Sequence, residues 1–457
     1  MKQTNWMPVL TEKGGPAYKQ LEQALLQAVS DGELSPGDRL PSVRKLAAAL
    51  GIHTETVSRA LAQAEAKGAV RSVRGSGVYV TEGAKGASLL KPYAAGSGIV
   101  ELGSLSPAIL DLAALQGSLQ QAALGTDLQS LFGYVPDKGF GENLSAKEIL
   151  RRLGCHAESD EILYACGGQN AIVATMLSAF KPGDRIGADP YIYPGIRSVA
   201  AMLGLELVCI GGQGPEMTEE ELETAVRCGI RGLYVTPDLQ NPTTHVMSQH
   251  CMDRIAALAE KEDILVLEDD IFGLAQTNRP ASIADRCPNH TVFIASLSKI
   301  VSPGLRLAYV KCPQSLKSRL SETLHNIQGS VVPASLAVME DIVREGKLDS
   351  MIAQYRSRTW VRNLYVEQYL KGCEIRGDLF DPLRWCVLPF AADGMELERR
   401  ALARGVRINC AERFYIGSGQ PASAFRLCPV TPTKESDLKE SLLRLSSLLE
   451  ELRWEAW

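Results

Sequence analysis

The chain has 457 residues, 45% of them hydrophobic and 22% charged, and a formal net charge of −5. These proportions exclude the disordered and fibrous classes, no apolar run approaches the roughly 20 residues of a membrane helix, and the first residues lack the layout of a secretory signal. The eleven cysteines are odd in number and form no CxxC pair, which argues against a disulfide framework or a metal site and favours the reducing cytoplasm.

The charge is unevenly distributed along the chain. Residues 1–80 carry ten Lys/Arg and seven Asp/Glu, a net charge of +3, whereas the remainder carries 38 and 46, a net charge of −8. A small basic module attached to an acidic body is the pattern expected of a DNA-reading domain on an enzyme-like core.

The basic module begins with three predicted helices. Apolar residues recur on one helical face over 16–31, and further helices are predicted over Ser42–Leu50 and Thr54–Lys67. Only a short Gly-containing turn separates the last two, which predicts a helix-turn-helix. Two strand-like pieces, Val70–Val73 and Val78–Val80, then surround a basic Gly-rich tip, as in the wing of a winged helix.

Residues 34–80 resemble the DNA-binding domain of the GntR family of bacterial regulators. The resemblance implies that eight residues lie near double-stranded DNA: Arg39, Ser42, Arg44, Thr54, Thr56, Arg59, Arg74 and Gly75. Arginine side chains meet phosphates or guanine edges, and hydroxyls at helix N-termini bind phosphate. His53 and Thr54 replace the family's usual N-cap Ser and following Arg, so we expect the cap to shift to Thr54, and the family's preferred base pattern cannot be carried over.

Residues 81–98 are rich in Gly, Ala and Ser and predict a flexible linker. From 99 to about 340, long apolar strands alternate with helices, which indicates a mostly parallel sheet covered on both faces. The predicted strands are Glu161–Ala165, Arg185–Ala188, Leu205–Ile210, Gly232–Val235, Ile264–Glu268, Val292–Ala295 and Leu307–Val310. Ligands of such sheets bind at the carboxyl ends of the strands.

The residues that follow these strands suit pyridoxal 5′-phosphate. Lys299 offers an amine to the cofactor's aldehyde, and Asp269 offers a carboxylate to its ring nitrogen. Asn241 is suited to the phenolate oxygen and Tyr193 to the ring face, although Tyr191 competes for that second role. The candidate phosphate ligands are Gly168, Gln169, Ser296, Ser298 and Arg306.

The SLSK…PGLR segment and the Asn241-Pro242 pair together resemble the fold-type I aminotransferases, the aspartate aminotransferase superfamily. The resemblance implies that Lys299 is the lysine that forms the internal aldimine and that the other residues have the roles given above. It further implies that Tyr134 reaches the phosphate of a partner subunit and that Arg426 grips a substrate α-carboxylate.

Two residues depart from that superfamily. Phe272 stands where a Tyr commonly donates to the phenolate oxygen, and Thr244 stands where the Asn-Pro-Thr-Gly pattern has Gly. The lost donor weakens the case for fast transamination without affecting cofactor attachment. Residues 341–457 then predict a smaller α+β lobe with long helices, short strands and a final amphipathic helix.

A GntR-type winged helix fused to an aminotransferase-like body resembles the MocR subfamily of bacterial regulators. This resemblance implies a cytoplasmic homodimeric transcriptional regulator that holds pyridoxal phosphate on Lys299 and senses an amino acid, an amine or a B6 vitamer through aldimine chemistry. One alternative is an active aminotransferase with a dispensable N-terminal module, because Lys299, Asp269 and Arg426 are all retained. Another is a vitamin B6 sensor in which occupancy by the cofactor is itself the signal.

Overall fold

The computed structural model describes residues 4, 6–8, 10, 15–30, 34, 38–66, 69–73, 77–80, 98–106, 112–125, 128–135, 143–212, 214–277 and 281–455. The chain separates into two compact units, residues 1–91 and 92–457. The predicted linker therefore lies outside the described residues, except for Gly98. Among the described helices, none combines the length and apolarity that a membrane crossing requires.

The first unit is a winged helix, as the sequence predicts. Its elements are α1 Ala17–Ser30, α2 Val43–Leu50, α3 Thr54–Ala66, β1 Val70–Val73 and β2 Gly77–Val80. The three helices and the wing strands share one buried apolar core. The two strands pair antiparallel, as a wing requires.

Local chemistry fixes the ends of the helix-turn-helix. The Ser42 hydroxyl accepts a hydrogen bond from the Lys45 amide at 3.2 Å and caps α2. Gly51 ends α2 in the left-handed conformation, with φ 66°. The His53 carbonyl accepts the first bonds of α3, so the expected shift of the cap to Thr54 is wrong. Glu65 of α3 accepts from the amide and hydroxyl of Ser72, which ties the wing to the helix.

The second unit contains thirteen described strands and as many described helices. The strands are β3 Val100–Glu101, β4 Ile162–Ala165, β5 Arg185–Ala188, β6 Glu206–Cys209, β7 Ile230–Val235, β8 Leu265–Asp270, β9 Thr291–Ser296, β10 Ala308–Lys311, β11 Glu374–Arg376, β12 Arg384–Val387, β13 Val406–Arg407, β14 Asn409–Cys410 and β15 Ala424–Leu427. The helices are α4 Leu112–Gly125, α5 Leu128–Phe132, α6 Leu144–Arg152, α7 Gly168–Ala179, α8 Pro194–Leu203, α9 Glu219–Arg227, α10 Gln249–Glu262, α11 Ile283–Arg286, α12 Gln314–Gln328, α13 Pro333–Arg344, α14 Lys347–Tyr369, α15 Gly394–Ala403 and α16 Glu435–Glu455.

Seven strands form the central sheet, in the order β4-β10-β9-β8-β7-β5-β6. All neighbouring pairs are parallel except those of β10, which runs antiparallel to β4 and β9. Successive residues of β8 enter different cores, Leu267 on one face and Val266 on the other. The predicted mostly parallel sheet covered on both faces is confirmed. Its strands end at one edge, where the loops that carry the candidate site converge.

The smaller lobe is built on a four-stranded antiparallel sheet in the order β11-β12-β15-β14. Its core also contains Leu102, because β3 pairs in parallel with β13. The chain therefore enters this unit through the small lobe, although the sequence assigns residues from 99 onward to the large one. The two cores are joined by α14, whose Tyr355 packs in the large lobe and whose Val366 packs in the small one, so the change of lobe comes later than residue 340.

Candidate ligand site and DNA-binding face

The buried carboxylate of Asp269 lies near the end of β8 and is 1% exposed. Its Oδ2 accepts a hydrogen bond from the Tyr234 hydroxyl at 2.8 Å. Its Oδ1 is buried without a hydrogen-bond partner among the described residues. Burial raises the pKa of Asp269 to about 7, while the Tyr234 hydrogen bond lowers it and the neighbouring Asp270 raises it. The carboxylate thus has one oxygen fixed and one open to a cationic N–H donor.

Lys299 follows β9 and donates from Nζ to the Leu105 carbonyl at 2.7 Å. Burial lowers the pKa of Lys299 to about 8, and the cations Arg426 and Arg306 act in the same direction, whereas Cys428 opposes them. When the pKa of a lysine is lowered, a larger fraction of the molecules carries the neutral, nucleophilic amine near neutral pH. Lys299 is therefore suited to attack an aldehyde.

A compact cradle forms where α7 begins. The helix begins after Gly167 without a side-chain cap, and the free amides of such a first turn are suited to bind an anion. Gly167 adopts φ 90°, and a Cβ there would lie 2.7 Å from a guanidinium nitrogen of Arg306. A Cβ on Gly168 would lie 3.2 Å from Cβ of Ser296. The Ser298 hydroxyl is buried and without a hydrogen-bond partner in the described structure. These features fit a phosphate group.

The structure distinguishes the two tyrosines that compete for the ring face. Tyr191 packs against Trp385, with ring centroids 5.7 Å apart, and against Tyr415, and its hydroxyl accepts from the Ala422 amide at 2.7 Å. Tyr191 thus holds the small lobe. Tyr193 precedes α8, and burial followed by the nearby Asp269 carboxylate raises its pKa. Tyr191 is thus occupied by contacts with the small lobe, whereas Tyr193 lies within electrostatic range of Asp269.

Arg426 of β15 is 6% exposed and contacts the large lobe. Its Nε and one terminal nitrogen donate to the Gly103 carbonyl, and its other terminal nitrogen donates to Oδ1 of Asn241 at 2.6 Å. The guanidinium also lies over the Phe414 ring, 4.6 Å from its centroid. Arg426 and Asn241 thus lie within hydrogen-bonding distance of each other, and both have partners within the chain.

Tyr134 follows α5. Its side chain is 83% exposed, and a Cβ on Gly329 would lie 3.9 Å from its ring. The role implied for Tyr134 concerns the site of a partner subunit, so it stays a prediction.

Phe272 and Thr244, the two departures from the aminotransferase pattern, have clear structural consequences. Phe272 is buried in an apolar cluster with Leu239, Leu383 and Cys428. Its ring offers no hydrogen-bond donor at that position. Thr244 adopts φ 63°, a conformation that favours glycine and is costly for a β-branched residue. The chain therefore keeps the backbone path of the pattern without its glycine.

In the winged helix, the predicted DNA-binding residues divide into exposed and packed side chains. Arg44, Thr54 and Arg59 are exposed on α2 and α3, and Thr56 is half-buried. The Arg59 guanidinium lies over the Tyr18 ring, 4.1 Å from its centroid. Ser42 and Arg39 are engaged as well, because the Ser42 hydroxyl caps α2 and Arg39 packs against Gly77 at the start of β2. Arg74 and Gly75 lie outside the described residues.

Sequence reasoning missed several contributors to the site. The sequence places Tyr234 only within a strand, yet its hydroxyl fixes Asp269. The signal that points to this role is a polar hydroxyl near the end of an otherwise apolar strand. The carbonyls of Gly103 and Leu105 hold Arg426 and Lys299. Backbone carbonyls carry no residue-type signal, so their role cannot be predicted from the sequence.

Two families match the sequence. Residues 17–80 match the family described as bacterial regulatory proteins, gntR family, and residues 126–367 match aminotransferase class I and II. The uncharacterized HTH-type transcriptional regulator YdeF of Bacillus subtilis (strain 168) is 34% identical over 453 residues, covering 98% of this chain and 97% of the relative.

Two further likenesses support the same division. The HTH-type pyridoxine biosynthesis transcriptional regulator PdxR of Corynebacterium glutamicum is 26% identical over 322 residues, covering 69% of this chain and 70% of the relative. An archaeal alanine:glyoxylate aminotransferase structure superposes with a TM-score of 0.70 and 19% identity, covering 80% of this chain and 94% of that one, which shows the fold of the body.

A GntR-type DNA-binding domain followed by a fold-type I aminotransferase-like body defines a class of transcriptional regulator. The chain has both parts in that order and matches a regulator of this kind over nearly its full length. It belongs to the MocR subfamily of GntR-type bacterial regulators.

Proposed function

We propose that the protein is a pyridoxal phosphate-dependent transcriptional regulator that binds double-stranded DNA through its winged helix and senses an amine-bearing effector at Lys299. The observation that carries the proposal is the open Oδ1 of Asp269, a buried carboxylate oxygen without a described partner in the same site as a lysine of lowered pKa. A protonated ring nitrogen is the donor that this oxygen lacks.

The residues present fit the cofactor. When bound, pyridoxal phosphate supplies an aldehyde that condenses reversibly with amines. Asp269 would accept the ring N–H, Tyr193 would cover the ring, and Asn241 would face the phenolate oxygen. The phosphate would be held by Gly168, Gln169, Ser296, Ser298 and Arg306. Lys299 supplies the amine that an incoming amine would replace.

The effector class follows from Arg426. A guanidinium that is 6% exposed and faces Asn241 is suited to a carboxylate, which it binds with two parallel hydrogen bonds. The proposed effector is therefore an amine that also carries a carboxylate. To regulate, it must bind the DNA-competent and DNA-incompetent states with different affinities.

The protein is proposed to act as a homodimer. Next to Tyr134, the helices α4 and α5 expose Leu119, Leu124 and Phe132, with 83% of Leu124 and 82% of Phe132 accessible. Large apolar side chains exposed to this extent are common at interaction surfaces. A dimer also places two winged helices on two DNA half-sites. Sedimentation of the purified protein tests this, and a monomer at micromolar concentration would contradict it.

An active aminotransferase is the second candidate. It is favoured by the presence of Lys299, Asp269 and Arg426 in one site and disfavoured by Phe272, which offers no donor. A third candidate, in which cofactor occupancy is itself the signal, is suggested by the likeness to a regulator of pyridoxine biosynthesis. Turnover of amino acids would support the active aminotransferase, and a change in DNA binding with pyridoxal phosphate alone would support the sensor of cofactor occupancy.

The test of cofactor attachment is chemical. Purified protein mixed with pyridoxal phosphate should become yellow, and borohydride should fix the cofactor on Lys299, as read by peptide mass mapping. Lys299→Ala should stay colourless. Lys311→Ala, which removes a different buried lysine, is the matched control and should colour normally. Labelling of any other lysine would overturn the assignment.

The test of the DNA-binding face uses Arg59. Arg59→Ala should weaken DNA binding and flatten its salt dependence by about one unit of slope, because one phosphate contact is lost. Arg185→Ala, which removes an exposed arginine of the sheet, should change neither. If the two variants bind DNA alike, the winged helix docks through another surface.

A further inference from the structure

A short segment of chain covers the candidate site. This segment, which we name the strap, comprises residues 100–106. It begins in β3, which pairs with β13, and the Leu102 amide continues that pairing by donating to the Arg407 carbonyl at 2.9 Å. In the sequence it follows directly on the predicted linker to the winged helix. The strap is thus the part of the body nearest in sequence to the DNA-binding unit.

Two strap carbonyls hold the two cations that the proposed function assigns to ligands. The Leu105 carbonyl accepts from Nζ of Lys299 at 2.7 Å. The Gly103 carbonyl accepts from Nε of Arg426 at 3.2 Å and from one of its terminal nitrogens. The strap therefore occupies hydrogen-bonding capacity that the proposed ligands also need.

The strap carbonyls and the proposed ligands compete for the same donors of Arg426 and Lys299. A carboxylate binds a guanidinium along one edge, through two parallel N–H donors. The edge formed by Nε and one terminal nitrogen of Arg426 faces the Gly103 carbonyl, and the other terminal nitrogen faces Asn241. Lys299, once its amine is bonded to an aldehyde, no longer has three N–H donors to offer Leu105. Ligand binding thus withdraws donors from both strap carbonyls and leaves the Gly103 carbonyl with its donors from Asn409, at 2.9 Å, and Cys428.

The strap is stiff enough to pass such a loss along the chain. One carboxylate oxygen of Glu101 accepts from the amides of Gly103 and Ser104, each at 2.8 Å. The Thr431 hydroxyl donates to the Ser104 carbonyl at 2.8 Å, and its oxygen accepts from the Ser106 amide at 3.1 Å. Because the turn is bonded to Glu101 of β3, a shift at residues 103–105 reaches the point where the chain leaves toward the linker.

We propose that the strap is an internal competitor for Lys299 and Arg426, whose displacement by the ligand is the movement that the linker transmits to the winged helix. This inference rests on the proposed function, since it assigns the regulation of the same site. It explains why Arg426, which is suited to bind a carboxylate, already donates its hydrogen bonds to Gly103 and Asn241.

The first test is hydrogen–deuterium exchange of the full-length protein, read on peptides that cover residues 98–106. Loading with pyridoxal phosphate should speed exchange at Gly103, Ser104 and Ser106 by about threefold to tenfold, the factor that corresponds to losing about one hydrogen bond. Adding a mixture of amino acids should speed it further. Unchanged or slower exchange in cofactor-loaded protein would overturn the proposal.

A ligand-free arm separates this inference from the proposed function. Arg426→Met removes the donors to Gly103 without any ligand and should speed exchange of the same amides. If the protein fails to take up pyridoxal phosphate, the proposed function fails, while this arm still decides the strap. Wild-type exchange at these amides in folded Arg426→Met would contradict the strap's dependence on Arg426.

The second test weakens the strap by removing its contact with Thr431. Thr431→Val keeps the side-chain shape and removes the hydroxyl that holds Ser104 and Ser106. It should tighten the apparent affinity for the amino acid mixture by roughly fivefold, because a competitor is weakened, and should move DNA affinity toward its liganded value. Thr323→Val, which removes an exposed hydroxyl on α12, is the matched control. Identical behaviour of the two variants would overturn the proposal.

Discussion

The two sides of the candidate site differ in how their polar groups are satisfied. On the large-lobe side, one oxygen of Asp269 and the Ser298 hydroxyl are buried without hydrogen-bond partners among the residues that the structure describes. On the small-lobe side, Arg426 directs its donors to Gly103 and Asn241. The first side is organised in advance for a ligand, whereas the second must exchange partners to accept one. A site of this kind binds its cofactor on a side that is already formed, whereas the exchange of partners at Arg426 is left to the effector.

The prepared side should show the largest effect of mutation. Asp269→Asn keeps the shape and the Tyr234 contact but removes the charge, so pyridoxal phosphate should bind on the order of 100-fold more weakly, since hydrogen bonds to charged groups are worth about 1.5–3 kcal/mol. Absorbance titration measures this. Asp263→Asn, at an exposed position that ends α10, should bind like wild type. Equal affinities for the two variants would remove the distinction between the two sides.

Mutation on the small-lobe side should weaken the response to the effector and leave cofactor binding unchanged. Arg426→Ala should still become yellow with pyridoxal phosphate, but its spectral response to amino acids should need roughly 30-fold higher concentrations, because a bidentate charged pair is lost. Arg399→Ala, on the exposed face of α15, serves as the control. If simple amines without a carboxylate act as well as amino acids on wild type, Arg426 is not a carboxylate grip.

The pH dependence of cofactor attachment probes Lys299 itself. Its pKa of about 8 means that the neutral amine increases with pH until about 8 and then saturates. The rate of attachment should therefore rise about tenfold per pH unit below 8 and flatten above it. An ordinary lysine would continue to gain up to its usual pKa of about 10.4. Stopped-flow absorbance across this range checks the prediction, and a rise that continues past pH 9 would contradict it.

The smallest effect is expected from Phe272→Tyr, which returns the missing hydroxyl. Because Phe272 is buried among apolar side chains, the added hydroxyl should lower the free energy of unfolding by about 1–3 kcal/mol unless it finds a partner. With cofactor bound, it should find one and lose less stability. Thermal melts with and without pyridoxal phosphate measure the difference. An identical loss in both states would mean that position 272 does not face the cofactor.

The fold could be predicted from the sequence where apolar periodicity and turn residues agree. The strand Arg185–Ala188 has the predicted bounds, and the helices and strands of the winged helix differ from the predicted ones by about one residue at their ends. Elements set by distant pairing were not foreseen. β3 is two residues long and depends on β13, about 300 residues later, so no local pattern announces it.

The candidate site divides in the same way. Side chains with distinctive chemistry, such as Lys299 and Asp269, could be placed because each follows a strand, and parallel strands end at one edge. Tyr234 could not, because its role depends on which neighbouring strand pairs with its own. The strap carbonyls could not either, because every residue has a carbonyl and only the fold selects which ones meet a cation.

The central claim is that DNA binding responds to a ligand through Lys299. The most direct measurement is DNA affinity, by fluorescence anisotropy on DNA from upstream of the protein's own gene, for wild type and Lys299→Ala. Both are titrated with amino acids in the presence of pyridoxal phosphate. The account predicts that wild-type affinity shifts with amino acids and that Lys299→Ala affinity does not. An equal shift in both proteins, or none in wild type that has bound the cofactor, would contradict it.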